Sequence, residues 1–385
     1  MKTKYIYLIL LLSFSAFCAL IVSYATPEII SPLKIRSGEM SLASDWLNTK
    51  KAIEGMLVQL EGHPDDMKTR LNLALAYIQE GRTTGDHAYY DPAALTLLDD
   101  ILKKDPNHTE ALCAKATVLL SQHHFAEAIP LGEKARILNP YNSGVYGILT
   151  DANVELGQYD AAIRFADKMV SVRPDIRSYS RISYLREIHG DITGAISAMK
   201  LAVEAGYPGL EQTEWCRVQL GHLFENTGNL NSAQTCYEEA LYFRPAYAYA
   251  FLGMGRIEKA RKHFKEAINY IEKAKSLVAD HSFDHELTDV YRISNEPQKA
   301  YASAQHELIL LDGMSNSGKG NIHGHYADRE LAFAYLDLYQ YSKALKHALI
   351  EYNRRPGNID VNQTLAWVYY KLGRYEEANK YVKVH

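Results

Sequence analysis

The sequence predicts an all-α chain built from stacked helix–turn–helix hairpins, and three observations carry that prediction. Pro106, Pro140, Pro174 and Pro208 fall at a uniform spacing of 34 residues. An alanine recurs at Ala94, Ala128, Ala162, Ala195, Ala233, Ala267, Ala300, Ala344 and Ala378, with gaps of 34, 34, 33, 38, 34, 33, 44 and 34. A period held over almost the whole chain is the mark of a repeat array. The composition agrees. Only 23 Gly and 12 Pro occur in 385 residues, too few for a turn-rich β protein, and 47% hydrophobic residues are enough to bury a core. The net charge of -4 argues against a strongly basic nucleic-acid binder, and four Cys are too few for a disulfide scaffold.

One unit shows what the period means. Leu220, Gly221 and Phe224 have helical spacing, Gly228-Asn229 breaks the helix, and Ala233, Tyr237 and Ala240 resume it. Pro245 ends the second helix, because a proline disfavours helical backbone in the residue before it. Gly221 and Ala233 lie where the two helices would cross, and only small side chains permit a close approach. Each hairpin then carries an apolar face that it buries only against its neighbours.

These residues resemble the tetratricopeptide repeat family: a Leu-Gly pair and an aromatic in the first helix, an Ala, an aromatic and an Ala in the second, then a Pro. Leu365 to Tyr381, Asn72 to Gly81 and Glu155 to Ile163 match the same pattern. The resemblance implies a right-handed α-solenoid of about nine units, beginning near Met67, Thr109, Ser143, Ile176, Glu214, Ala248, His281, His325 and Ile359. It covers most of the chain and is specific for fold.

Outside the repeats the chain divides into residues 1–25, a spacer at 26–44 and a capping helix at 45–62 whose apolar stripe is Trp46, Ile53, Met56, Leu57 and Leu60. The array occupies 63–385, with insertions near 82–91 and 312–324. The last unit ends at His385 with a short second helix and no evident solvating cap, so its outer face is a candidate for cover by a partner.

Lys2 and Lys4 precede a run without charge, from Tyr5 to Pro27, that closes on the small residues Ser23 and Ala25. This is the pattern of a secretory signal cleaved after Ala25. The run is also close to the roughly 20 residues that span a bilayer, so an uncleaved anchor contacting the membrane through residues 5–25 stays open. Both readings place the remainder outside the cytoplasm, periplasmic or secreted. Phe17 before Cys18 speaks against lipidation.

The candidate chemistry is thin. Gly313 to Lys319 has the spacing of a phosphate-binding loop, but no strand delivers it, and Gly320 stands where a metal-binding hydroxyl belongs. His323 with His325, and His281 with His285, are pairs that could ligate a metal. Zinc takes three or four ligands, and no clustered carboxylates accompany either pair along the chain. Neither a metal nor another cofactor is expected, and no residue set suggests an enzyme. Asn107 and Asn362 open glycosylation triplets, the first on a turn and the second inside a helix.

What remains is the surface. The resemblance implies that positions 2, 5, 9 and 12 to 13 of each unit line a concave groove. Carried over by phase, these are Arg177, Tyr184, Glu187, Trp215, His222, Glu225, Asn226, Tyr249, Arg256, His285, Asp289, Arg292, Tyr326, Arg329, Trp367 and Tyr370. Trp, Tyr and Arg are the residue types that dominate binding energy at interfaces. Arg256, Arg292 and Arg329 recur about one unit apart, which suits a ligand with acidic groups. Trp215, Tyr249 and Arg256 are expected to act as central anchors that can be replaced without collapsing a core. The expected function is a non-enzymatic scaffold that binds a protein or peptide in its groove outside the cytoplasm. The alternative is a structural subunit of a membrane or envelope assembly, held by the N-terminal segment.

Overall fold

The structure is a computed structural model that describes residues 30–36, 38–43, 45–316 and 324–382. The proposed signal or anchor at 1–25 lies outside the described residues. Lys34–His385 forms one compact unit. Among the described residues there are nineteen α-helices and no strand.

After a 3-10 turn at Gly38–Leu42, helix α1 (Trp46–Gly62) precedes nine hairpins. The first pairs α2 (Met67–Thr84) with α3 (His87–Lys104), the second α4 (Thr109–Ser121) with α5 (Phe125–Leu138), and the third α6 (Ser143–Glu155) with α7 (Tyr159–Val172). The fourth pairs α8 (Ile176–Ile188) with α9 (Ile192–Glu204), the fifth α10 (Glu211–Asn226) with α11 (Leu230–Phe243), and the sixth α12 (Ala248–Ala260) with α13 (Phe264–Leu277). The seventh pairs α14 (His281–Ile293) with α15 (Pro297–Ser315), the eighth α16 (Asp328–Asp337) with α17 (Tyr341–Arg354), and the ninth α18 (Ile359–Lys371) with α19 (Tyr375–Val382).

Local chemistry sets these boundaries. Asp66, Asn142, Asp175, Asp280 and Asn358 cap first helices, each side chain accepting from a backbone N–H of the opening turn. Every hairpin turns through one residue at positive φ. Five are glycine, at Gly85, Gly157, Gly190, Gly228 and Gly373, and four are not: His123, Lys262, Asn295 and Tyr339. The helix crossing works as its small residues require. Tyr237 is fully buried, and a Cβ on Gly221 or Gly253 would run into its ring, so one aromatic fills the gap left by two glycines of successive hairpins.

The first insertion, and the start of the second, are absorbed into regular structure. Residues 82–91 do not loop out; α2 and α3 are each 18 residues long and meet at Gly85. Residues 312–315 continue α15, so the first part of the Gly313–Lys319 stretch is helical. Asn316 caps that helix, and Ser317 to Lys319, with His323, lie outside the described residues.

Hairpins 1 to 6 complete a circuit, and hairpins 7 to 9 stack on hairpins 1 to 3. The turn of each lower hairpin meets the loop that enters a hairpin six units later. Gly85 lies against Val278 and Ala279. The Tyr326 N–H donates to the Gln122 carbonyl at 3.0 Å, and His123, His124 and His325 reach the carbonyls of Tyr326, Gly324 and Ser121. The Ile359 N–H donates to the Tyr159 hydroxyl at 2.9 Å, and buried Arg355 binds both Glu351 and Glu155.

The segment before α1 is more than a spacer. Arg36 is buried, donates from Nε to Glu80 at 3.0 Å, and lies 4.8 Å above the Trp46 ring. Glu39 pairs with Lys273, and Asp45 stands 3.7 Å from Arg244, so this strap ties the first hairpin to the fifth and sixth. In α1, Trp46, Ile53 and Leu60 are buried.

Candidate functional site

The groove-phase residues sort into three environments. The largest group forms a ladder of polar contacts running from hairpin to hairpin. Asn226 donates to Glu187 at 3.4 Å. Glu225 accepts from the Tyr237 hydroxyl at 2.9 Å and from Arg256 Nε at 2.8 Å, and Arg256 also stands 3.7 Å from Glu286. The Tyr249 hydroxyl donates to Asp280 at 3.0 Å. Arg292 bridges Asp289 at 3.3 Å and Asp337 at 3.1 Å. Arg329 stands 4.0 Å from Asp360 on the next hairpin and lies over Phe333. The three periodic arginines therefore already have carboxylate partners within the chain. Each staples its own first helix to a neighbouring one, although the three sit at different positions within their units.

Two proposed anchors are structural in part. Trp215 packs against the core clusters on both sides of the fifth hairpin, and Arg256 is the hub of an ion-pair chain, so replacing either disturbs packing. His222 presses its ring edge-on against Tyr237, and burial, with the Arg256 charge, lowers its pKa to about 3. His285 lies 3.2 Å from Asp337 and 3.6 Å from Glu307. Although burial opposes the charge, those two carboxylates raise its pKa to about 11. Burial also raises the pKa of Glu187.

The second environment is the seam between the two turns of the solenoid. It takes Tyr326, whose ring stacks on His124 with centroids 3.8 Å apart and carries the Arg354 guanidinium on its face at 4.0 Å. The seam also contains His123, His325 and Glu330, whose ligating atoms lie within 4.8 Å of one another. Periodicity did not single out His123, Glu155, Arg355 or the Arg36–Glu80 pair. The missing glycine at His123 was no signal either, because the turns at Lys262, Asn295 and Tyr339 lack it as well.

The third environment is an open cleft. Trp367 and Tyr370 are exposed and stack with centroids 5.3 Å apart and planes inclined by 9°. With Ile188, Phe333, Ile359, Tyr375, Tyr381 and Val382 they line a cavity of about 880 Å³. Tyr370 also touches Tyr375, and Lys371 caps the Trp367 ring at 4.6 Å. Tyr184 is 38% exposed, and the burial of its remainder raises its pKa. Arg177 is exposed, 3.7 Å from Asp175.

The glycosylation triplets separate as well. Asn107 is exposed on the turn between α3 and α4, whereas Asn362 is buried, donating to the Pro356 and Asn358 carbonyls. Among the described residues no helix is long and apolar enough to cross a membrane.

An uninterrupted stack of helical hairpins with a continuous core defines an α-solenoid, a scaffold architecture. The sequence model of the tetratricopeptide repeat matches residues 216–247 and 359–383. These two segments are tetratricopeptide repeats. No curated protein sequence matches it. Among solved structures it is similar to the human IFIT1 dimer with m7Gppp-AAAA, at 12% identity and a TM-score of 0.55, over 88% of this chain and 77% of that one. It is also similar to the APC/C hetero-tetramer Cut9–Hcn1, at 16% identity and a TM-score of 0.53, over 87% of this chain and 60% of that one. The thermophilic TPR protein TTC0263 of Thermus thermophilus aligns at 23% identity and a TM-score of 0.44, over 50% of this chain and 98% of that one. The chain thus spans about three-fifths of the Cut9–Hcn1 chain it matches, and these likenesses speak to fold alone.

Proposed function

We propose that the protein is a non-enzymatic scaffold that holds a protein or peptide outside the cytoplasm, gripping it in the cleft around Trp367 and Tyr370. The carrying observation is that cleft: about 880 Å³, lined mostly by aromatic and aliphatic side chains with the amides Asn362, Gln363 and Asn379, and with every lining residue uncharged. Interfaces concentrate their energy in a few aromatic anchors seated in such places. An uncharged lining suits an apolar side chain from a polypeptide. It does not suit a phosphate backbone, so the capped RNA of the human IFIT1 structure is no guide to the ligand here.

The groove thereby narrows from the sixteen phase-matched residues to the stretch where they stay open. The middle of the array spends its charge on itself. The export half of the reading rests on Lys2, Lys4 and the uncharged run behind them.

Affinity capture from the native compartment tests the cleft. The double variant Trp367→Ala, Tyr370→Ala should keep its helical circular dichroism and lose the captured partner, at about 1–3 kcal/mol per anchor. Equal capture by the double variant removes the cleft from consideration. A reporter fused after His385 should be active only outside the cytoplasm, and strong cytoplasmic activity refutes export. Sequencing the mature N-terminus separates a soluble adaptor that begins at Thr26 from an anchored subunit that retains Met1.

A further inference from the structure

His281 and His285 lie one helical turn apart on α14, and along the sequence they lack companions. The fold supplies two. Glu307 comes from α15 and Asp337 from the end of α16, so three helices of two hairpins converge on one point. The ligating atoms of His285, Glu307 and Asp337 all lie within 4.8 Å of one another.

Four atoms in this cluster are buried without a hydrogen-bond partner: His281 Nδ1, His285 Nδ1, Glu307 Oε2 and Asp337 Oδ2. Buried polar atoms are nearly always paired, so four orphans in one place need a physical reason. Glu307 is the sharpest case. Its side chain is only 2% exposed, it sits between the two imidazoles, and the orphaned Oε2 points toward His285.

The separations supply that reason. His285 Nδ1 stands 3.2 Å from Asp337 Oδ2 and 3.6 Å from Glu307 Oε2, and His281 Nδ1 stands 3.7 Å from Glu307 Oε1. These groups attract one another but are too far apart or too poorly aimed to hydrogen-bond. Ligands about 2.0–2.2 Å from a tetrahedral zinc ion stand about 3.3–3.6 Å from one another, close to the 3.2 and 3.6 Å separations around His285.

We propose that His285, Glu307 and Asp337 form a binding site for a divalent transition-metal ion of the zinc class, with His281 supporting Glu307 through its other oxygen. Two carboxylates give the site the charge that a dication answers, the ion displacing the proton they otherwise hold on His285, and an imidazole with carboxylates is a donor set that zinc accepts. Arg292 holds Asp337 through Oδ1 at 3.1 Å, which orients the carboxylate and leaves Oδ2 for the ion. His285 and Asp337 also line a cavity of about 300 Å³, which provides an entry path. The ion would clamp the seventh hairpin to the eighth. The other cluster of this kind, His123, His325 and Glu330 at the seam, has one carboxylate and lies beside Arg329 and Arg355, whose charge opposes a cation.

The proposal is independent of the cleft and is tested on the full chain with zinc chloride by titration calorimetry, and with cobalt chloride by visible absorption. The expected result is one equivalent of zinc and a cobalt spectrum of four- or five-coordinate type. His285→Gln and Asp337→Asn, which nearly preserve shape, should each weaken zinc binding by at least about 10-fold and abolish the cobalt bands, while His325→Gln leaves both unchanged. The full chain failing to bind zinc at 100-fold molar excess overturns the proposal. So does binding that survives His285→Gln and Asp337→Asn, or that disappears with His325→Gln.

Discussion

The third and fifth hairpins are built on the same rule and live in different surroundings. Each turns through a glycine at nearly the same angle, φ +74° at Gly157 and +76° at Gly228. Around Gly228 there is open space, whereas a Cβ on Gly157 would fall into the backbone of Gly357 and Asn358, six hairpins further on. The repeat makes the turn, and the winding of the solenoid decides what the turn touches. One local motif thus serves as a solvent-facing corner in one place and as half of a long-range seam in another.

The strongest way to break the seam without touching the turns is to remove its buried charge. Arg355 is 4% exposed and binds Glu351 on its own hairpin and Glu155 on the third. Arg355→Ala leaves Glu155 without its cation and Glu351 with Arg354 alone, and should cost about 3–5 kcal/mol in chemical denaturation. The exposed pair Arg136–Glu133 lies away from the seam, and Arg136→Ala should change stability by less than about 1 kcal/mol. Similar costs for the two would mean that the seam does not hold the turns together.

Alanine at the two glycines sharpens the comparison directly. Both variants pay the left-handed penalty of about 1–2 kcal/mol. Gly157→Ala should cost about 1–3 kcal/mol more, because its methyl group overfills the seam. Equal denaturation midpoints would place Gly157 in open space.

The seam should also be sensitive to mild acid. Burial, with His123 nearby, lowers the His325 pKa to about 3, and burial lowers that of His123 too. The unfolded chain takes up these protons near pH 6.5, while the folded chain does not. His285, held protonated by its two carboxylates, gains stability over this window, but the seam histidines lose it as pH drops from about 6.5 towards 5, before most carboxylates titrate. His222, with a pKa of about 3 in the middle of the array, contributes in the same direction. His325→Gln should flatten the slope of melting temperature against pH across that window. An unchanged slope assigns the acid response to His222 and to other groups.

The smallest effect belongs to the turns that lack glycine. Lys262 is exposed at φ +65° in the sixth hairpin. Lys262→Gly relieves the left-handed strain and should raise stability by about 0.5–1 kcal/mol, net of the entropy that glycine adds to the unfolded chain. A loss of stability would show that the Lys262 side chain makes a contact worth more than the strain.

The hairpins were legible because their signals are local. Leu220, Gly221, Ala233 and Tyr237 lie within one unit, and their spacing mirrors the contacts they make. The site residues were legible only halfway. Phase placed Trp367 and Tyr370 on a surface, and they line the open cleft. Phase also placed Arg256, Arg292 and Arg329 on a surface, and there the prospect of an acidic ligand fails. Each arginine meets a carboxylate on its own or a neighbouring first helix, at a register that one unit read alone does not reveal. His281 and His285 stood out as an i,i+4 pair, while Glu307 and Asp337, 22 and 52 residues beyond His285, looked like ordinary solvated carboxylates.

Sequence alone determined the hairpin, its period and its crossing glycines, because helix spacing, proline stops and small-residue contacts act over a few turns of chain. The tertiary structure decided the rest: that hairpins 7 to 9 close on hairpins 1 to 3, that Tyr326 belongs to a seam, and that an imidazole from α14 faces carboxylates from α15 and α16. Such contacts depend on the small rotation between successive hairpins. Summed over six hairpins, that rotation brings residues 200 positions apart into contact, as at Glu155 and Arg355, and no local pattern encodes where the sum will close.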